Sequence, residues 1–155
     1  MSDLLAQMEA SGLGTWVRES PSIWAYPTIL TLHSIGLGIV VGASMIIDLR
    51  LIGRARAIEL VDLSALFPVI WWAFAVNALT GVLLFIADAT RKSGQPIFFV
   101  KLGCIVLALV ITRRARSIVA GSGAAHGDAS QKILAIASLV LWLGAIAAGR
   151  LMAYL

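Results

Sequence analysis

Residues 23–47 read IWAYPTILTLHSIGLGIVVGASMII, 25 residues without an acid, a lysine or an arginine. At 1.5 Å of rise per residue the stretch makes roughly 37 Å of helix, longer than the roughly 30 Å hydrocarbon core of a bilayer. His33 falls about 15 Å from its start, near the midplane of a membrane that the helix would cross. A titratable ring at that depth is costly unless it faces protein, a cofactor or water, so His33 is a candidate functional residue.

Three more apolar runs follow, at residues 65–87, 97–112 and 133–155, broken only by Lys101 and Arg150. The 155-residue chain is 60% hydrophobic and 13% charged, and its mean hydropathy is +0.96. Those values exclude an ordinary soluble domain. The third run reaches membrane length if its helix starts at Pro96 and continues into Arg113–Arg116, whose long stems can snorkel. The pattern predicts an all-α membrane protein, an antiparallel four-helix transmembrane bundle with spans at about 23–47, 65–87, 96–116 and 133–155.

Residues 1–20 stand apart from this transmembrane domain at 21–155. Leu4, Leu5, Met8, Trp16 and Val17 recur at roughly helical intervals, interrupted near Gly12 and Gly14. This predicts an amphipathic helix lying on the membrane surface. The segment is too polar for the apolar part of a cleavable signal. Trp16, Trp24, Tyr26 and Tyr154 suit an aromatic belt at one interface. Residues 49–63 suit a short interfacial helix, and Asp128 with Gln131 makes a capping-box pattern before the last span.

The formal charge of +4 does not point to nucleic acid, because the cations are placed by topology. Arg50, Arg54, Arg56, Arg113, Arg114, Arg116 and Lys132 lie in the two loops on one side, against Arg18, Arg91 and Lys92 on the other. That asymmetry predicts that these two loops are cytoplasmic and that both termini lie outside, on the periplasmic side if the membrane is a bacterial inner one. Its expected partners are the lipid bilayer, a second copy or a larger membrane complex, and no nucleic acid. Small residues at Gly38, Gly42, Gly144, Ala148 and Gly149 suit close helix packing, within the chain or across a homodimer seam.

The polar residues inside the spans define the candidate site. Gly36 shares a face with His33 and leaves room where a flat macrocycle would lie. A neutral imidazole is the usual protein ligand of b-type haem iron. Asn77 comes out at the depth of His33, while Lys101 and Arg150 both fall about 7 Å inside one end of their helices. Two cations at one level suit an anion such as the haem propionates, or they snorkel to the interface. His33, Gly36, Asn77, Lys101 and Arg150 are therefore the candidate cofactor residues, with His33 the candidate ligand of haem iron. The alternatives are a structural hydrogen bond from His33 to Asn77 or to a backbone carbonyl, and a proton, quinone or metal role. A copper pair with Cys104 lacks a nearby methionine. A bis-histidine haem needs two intramembrane histidines, and the spans hold one. No nucleophile–base–acid set and no phosphate-binding glycine loop is present, so no independent enzymatic activity is expected.

Features along nearly the whole chain carry a resemblance: Trp16 with Arg18–Glu19–Ser20 and Pro21, Tyr26–Pro27, His33 with Gly36 and Gly42, Asp48–Leu49–Arg50–Leu51, Gly81, Lys101–Leu102, and Gly149–Arg150 with Ala153–Tyr154. With these the chain resembles a family of small four-span bacterial inner-membrane proteins of unassigned function. That family in turn resembles, in architecture and a first-helix histidine, the four-helix cytochrome b and copper-resistance membrane proteins. The third span ends in Ile111–Thr112, where some relatives are expected to carry Asn or His. The resemblance implies that Asp48 and Arg50 matter, and an Asp–Arg pair closing the first span is their expected use. The function expected is a b-haem or quinone-linked electron-transfer component, or else a non-enzymatic accessory subunit.

Overall fold

The computed structural model describes residues 2–55, 57–121 and 129–154. Among them the chain is all α: α1 (Ser2–Glu9), α2 (Gly12–Glu19), α3 (Tyr26–Ile52), α4 (Leu60–Leu63), α5 (Leu66–Ile86), α6 (Ala89–Ser93), α7 (Pro96–Ala120) and α8 (Ala129–Leu151). The long helices α3, α5, α7 and α8 are each long and apolar enough to cross a membrane, and the chain is a multi-pass membrane protein. His126 and Asp128, with its half of the expected capping box, lie outside the described residues.

Local chemistry accounts for most boundaries. Pro27 and Pro96 occupy the first turns of α3 and α7, where a missing N–H loses nothing. Gly53 ends α3 with φ 93°, its N–H bonded to Arg50 O and the next N–H, of Arg54, to Leu49 O. A side chain at that φ would be strained, which is why α3 stops there. Helix α7 outruns the expected end at 116, because Ala108, Thr112, Ala115 and Val119 continue one buried stripe. The single surface helix expected over residues 1–20 is two short ones, divided where Ser11 Oγ caps the N–H of Gly14. Only Leu60–Leu63 of the 49–63 segment forms a separate helix, since α3 absorbs its beginning.

Helix α3 is the centre of the bundle. It packs against α5 on one side and α8 on the other, and α8 packs against α7. Val40, Ile47, Ile70, Ala108 and Trp142 belong to one buried cluster that all four long helices share. The bundle has a terminal end, which carries both chain termini, and a loop end opposite. At the terminal end Phe85 and Phe98 stack at 5.2 Å and join α5 to α7. Trp16, Trp24, Tyr26 and Tyr154 are all exposed there, as an interfacial belt requires. The most hydropathic stretch of α7 is only 11% buried, with Val100, Val106, Leu107 and Val110 facing outward. Such a surface is stable against lipid and not against water.

The small residues divide by role. Gly36 lies against α5: a Cβ there would stand 3.1 Å from Ala73 O and 3.2 Å from Asn77 Cβ. Gly144 and Gly149 receive Cys104 and Lys101 from α7. Gly38 and Gly42 have open space where a Cβ would go and take no part in packing within the chain.

The terminal end is also tied down by charge. Glu9 of α1 accepts from the backbone N–H of Thr90 at 2.8 Å and from its hydroxyl at 3.0 Å, capping α6 from outside. The backbone hydrogen bond from Thr90 is the main cause that holds the Glu9 carboxyl below its ordinary value, with the nearby Arg18 charge helping.

Gly36→Ala should destabilise the bundle by about 1–3 kcal/mol, because a carbonyl and an asparagine must move aside. Gly38→Ala should stay within about 0.5 kcal/mol. Unfolding in detergent of the two variants side by side checks this. The depressed Glu9 carboxyl contributes docking above its ordinary value of 4.5, and the contribution is lost as pH falls through the lower folded value. Protection of the Thr90 amide, measured against its intrinsic exchange rate at each pH, should therefore fall on acidification, and Glu9→Gln should abolish that change in protection.

Candidate functional site

His33 lies seven residues into α3, about 10 Å from the terminal end, so the ring is shallower than midway along the helix. Its Nδ1 is 3.0 Å from the backbone O of Asn77 and 3.1 Å from Thr80 Oγ1 on α5. In return Asn77 Nδ2 donates to the backbone O of His33 at 2.6 Å. The tie to Asn77 is therefore not one shared side-chain bond but two, each from one side chain to the other residue's backbone. Unpaired polar groups between membrane helices are costly, and here both helices supply the partners.

The partners assign the tautomer. A carbonyl only accepts, so Nδ1 carries the proton. The Thr80 hydroxyl donates to Val76 O at 2.7 Å, which leaves its lone pair for the same imidazole N–H. Nε2 then keeps its lone pair for an incoming proton or ligand, as in histidines whose far nitrogen is held by a carbonyl. Gly81 lies under the ring edge, where a Cβ would come within 3.1 Å of His33 Cε1. Sequence reasoning misses Thr80 and reaches Gly81 only through the resemblance. The signal for both is their three- and four-residue spacing from Asn77, which puts them on one face of α5.

The remaining candidates lie at the same end. Lys101 on α7 is half-buried and lays its ammonium over Gly149, with Nζ 3.6 Å from the position of a Cβ there. Its charge reaches both the His33 ring and Lys92. Arg150, the next residue along α8, is exposed. Two acids that could have paired with these cations are engaged elsewhere: Glu19 with Arg18 and Asp88 with Arg91, both at 2.8 Å. Lys92 is half-buried and donates to Leu84 O in the last turn of α5, where a cation suits the helix dipole. Burial pushes its ammonium below the usual lysine range, Asp88 opposes this, and Arg91 and Lys101 add to it. Cys104 turns to Gly144 on α8. Among the described residues no three His, Cys, Asp or Glu side chains come together to hold a metal.

The expected Asp48–Arg50 pair does not form. Residues two apart on a helix do not face each other. Arg50 Nε donates to Ile58 O at 2.6 Å across the α3–α4 turn, while Asp48 is buried in the bundle.

No family model matches the chain, and neither the curated proteins nor the solved structures provide a match. The terminal-half geometry is the ground for a functional reading.

His33→Ala and Asn77→Ala should each cost about 0.6–1.7 kcal/mol, the range for hydrogen bonds between membrane helices. Because each change removes only its own side-chain-to-backbone bond, the double variant should show the sum within about 0.5 kcal/mol. Thermal unfolding of the four proteins in one detergent measures the cycle. A larger coupling would show that ring and amide act as one unit.

Proposed function

We propose that this membrane protein binds a quinone headgroup in the terminal half of its bundle and serves as a small electron-transfer component of the bacterial inner membrane, its termini on the periplasmic side. The observation that carries the reading is His33, whose Nδ1–H is committed to α5 while Nε2 stays available, near a half-buried Lys101 that has no acid partner among the described residues. A quinone carbonyl needs a donor, which the Lys101 ammonium supplies, and a quinol hydroxyl needs a base, which His33 Nε2 supplies. The electrons belong to a partner complex, and the chain supplies hydrogen bonds and a place for the proton.

A b-type haem is the less economical occupant. One imidazole provides one axial bond, and the second would have to come from Lys101 or from another copy's His33. The tight seam beside His33, where a Cβ on Gly36 would stand 3.1 Å from Ala73 O, also favours a small headgroup over a macrocycle. The second reading is an accessory subunit of a larger complex. The reciprocal His33–Asn77 bonds favour it, because they account for the histidine as a helix tie without any ligand.

Titration of the purified protein with a short-chain benzoquinone, followed by tryptophan quenching, should saturate. His33→Ala and Lys101→Met should each weaken binding by about tenfold to a hundredfold, the worth of one hydrogen bond to a charged group. Arg150→Ala should bind as the parent does. Equal binding by parent and both variants returns His33 to the role of a tie, and a Soret band after expression with ample haem replaces the quinone by haem.

A further inference from the structure

The loop half of the bundle holds a second set of polar residues, apart from His33 and Lys101. Asp48 and Ser44 of α3 are each 2% exposed, and Ser138 and Trp142 of α8 are 1% and 2% exposed. Each pair is one helical turn apart and shares a face. Asp48 lies beside Ser138, and α3 packs against α8. The antiparallel run of these helices then sets Ser44 level with Trp142. On the other side, Lys101 against Gly149 and Cys104 against Gly144 define the α7–α8 register. Continued down the helices, it brings the buried Thr112 level with Ser138.

Four atoms of this cluster are buried without a hydrogen-bond partner: Asp48 Oδ2, Ser44 Oγ, Ser138 Oγ and Trp142 Nε1. Each orphaned polar group costs about 1–3 kcal/mol, and an isolated carboxylate in an apolar interior costs more. No described cation compensates Asp48. Arg50 is turned to Ile58 O, α5 brings Phe67 and Ile70 to this part of the core, α7 brings Ala115 and Thr112, and α4 brings Leu63. A carboxylate so placed, with no cation beside it among the described residues, is costly until a positive charge joins it.

We propose that Asp48, Ser44 and Ser138 form an intramembrane site for a monovalent cation, either a proton or Na+, with Thr112 at its edge. The ligating atoms are all hard oxygens, the set that suits such a cation and does not suit a soft metal. When a proton occupies the site, it sits on the carboxylate and the new O–H donates to a serine oxygen. When Na+ occupies it, the proton leaves and the serine oxygens turn their lone pairs to the ion. The site is neutral either way. Trp142 Nε1–H serves the carboxylate oxygen or a water on the side away from the cation. Leu51, Leu63, Phe67 and Val119 form an apolar layer between the site and the loop end.

A hydrophobic carbodiimide, which attacks a buried carboxyl only while it is protonated, tests this on the full chain in detergent, with peptide mass spectrometry locating the adduct. Asp48 should be labelled, and labelling should fall about tenfold per pH unit above its titration point. Suppression by Na+ but not by choline identifies the sodium form, and a pH-dependent profile indifferent to Na+ identifies the proton form. Ser138→Ala keeps the carboxyl and should move the profile by about one pH unit, the effect of one lost hydrogen bond. Absence of the adduct across the pH range, or a profile flat in both pH and Na+, overturns the proposal. So does an Asp48→Asn protein whose thermal stability responds to pH and Na+ as the parent's does.

Discussion

The bundle depends on the close meeting of α3 and α5 at Gly36. In lipid the hydrophobic effect does not drive helices together, so association rests on close packing and on hydrogen bonds. Gly36 lets the backbone of α3 approach Ala73 and Asn77. That approach brings His33 and Asn77 near enough for each side chain to bond the other's backbone. Remove the approach and both bonds lengthen beyond use, so packing and polar pairing at this seam form one device. The imidazole is held by one nitrogen as a consequence, and its chemistry is confined to the other.

Because α3 sits between α5 and α8, its two faces serve different ends of the molecule. Toward α5, in the terminal half, its polar groups are paired and oriented. Toward α8, in the loop half, they are buried and unpartnered. The paired end resists deformation and presents Nε2 in a set direction. The unpartnered end carries a standing electrostatic cost that an occupant would relieve. The two sets of polar groups are thus more than a crowd of exceptions in an apolar chain, since each lies on a separate helix contact.

The candidate site is partly legible in the sequence. His33, Asn77 and Lys101 stand out because polar atoms in an apolar run are expensive, and depth counting puts the first two at one level. Thr80 is not legible: a threonine normally satisfies its hydroxyl on its own helix, as this one does with Val76 O, and only contact with the ring gives it a second use. Asp48 reads in the sequence as half of a surface pair, and the fold corrects this. Its neighbour Arg50 is close in number, but the helix turns the two side chains apart. Gly38 and Gly42 share the spacing of packing glycines and still face away from the chain, because spacing marks a stripe and not the partner behind it.

The sequence by itself determined the all-α class, the four apolar helices, their approximate limits and the sidedness of the charges. Those follow from helix rise against bilayer thickness and from the cost of moving charge into hydrocarbon, and both act on one segment at a time. Only the tertiary structure decided which face of α3 meets α5 and which meets α8. It also decided that Nδ1 is the bound nitrogen of His33, that Lys101 folds onto Gly149 while Arg150 stays outside, and that Asp48 is buried among serines. These outcomes depend on the rotation of each helix about its axis. Helices that are apolar all round carry almost no preference for one rotation, so a few glycine contacts and hydrogen bonds between segments make the choice.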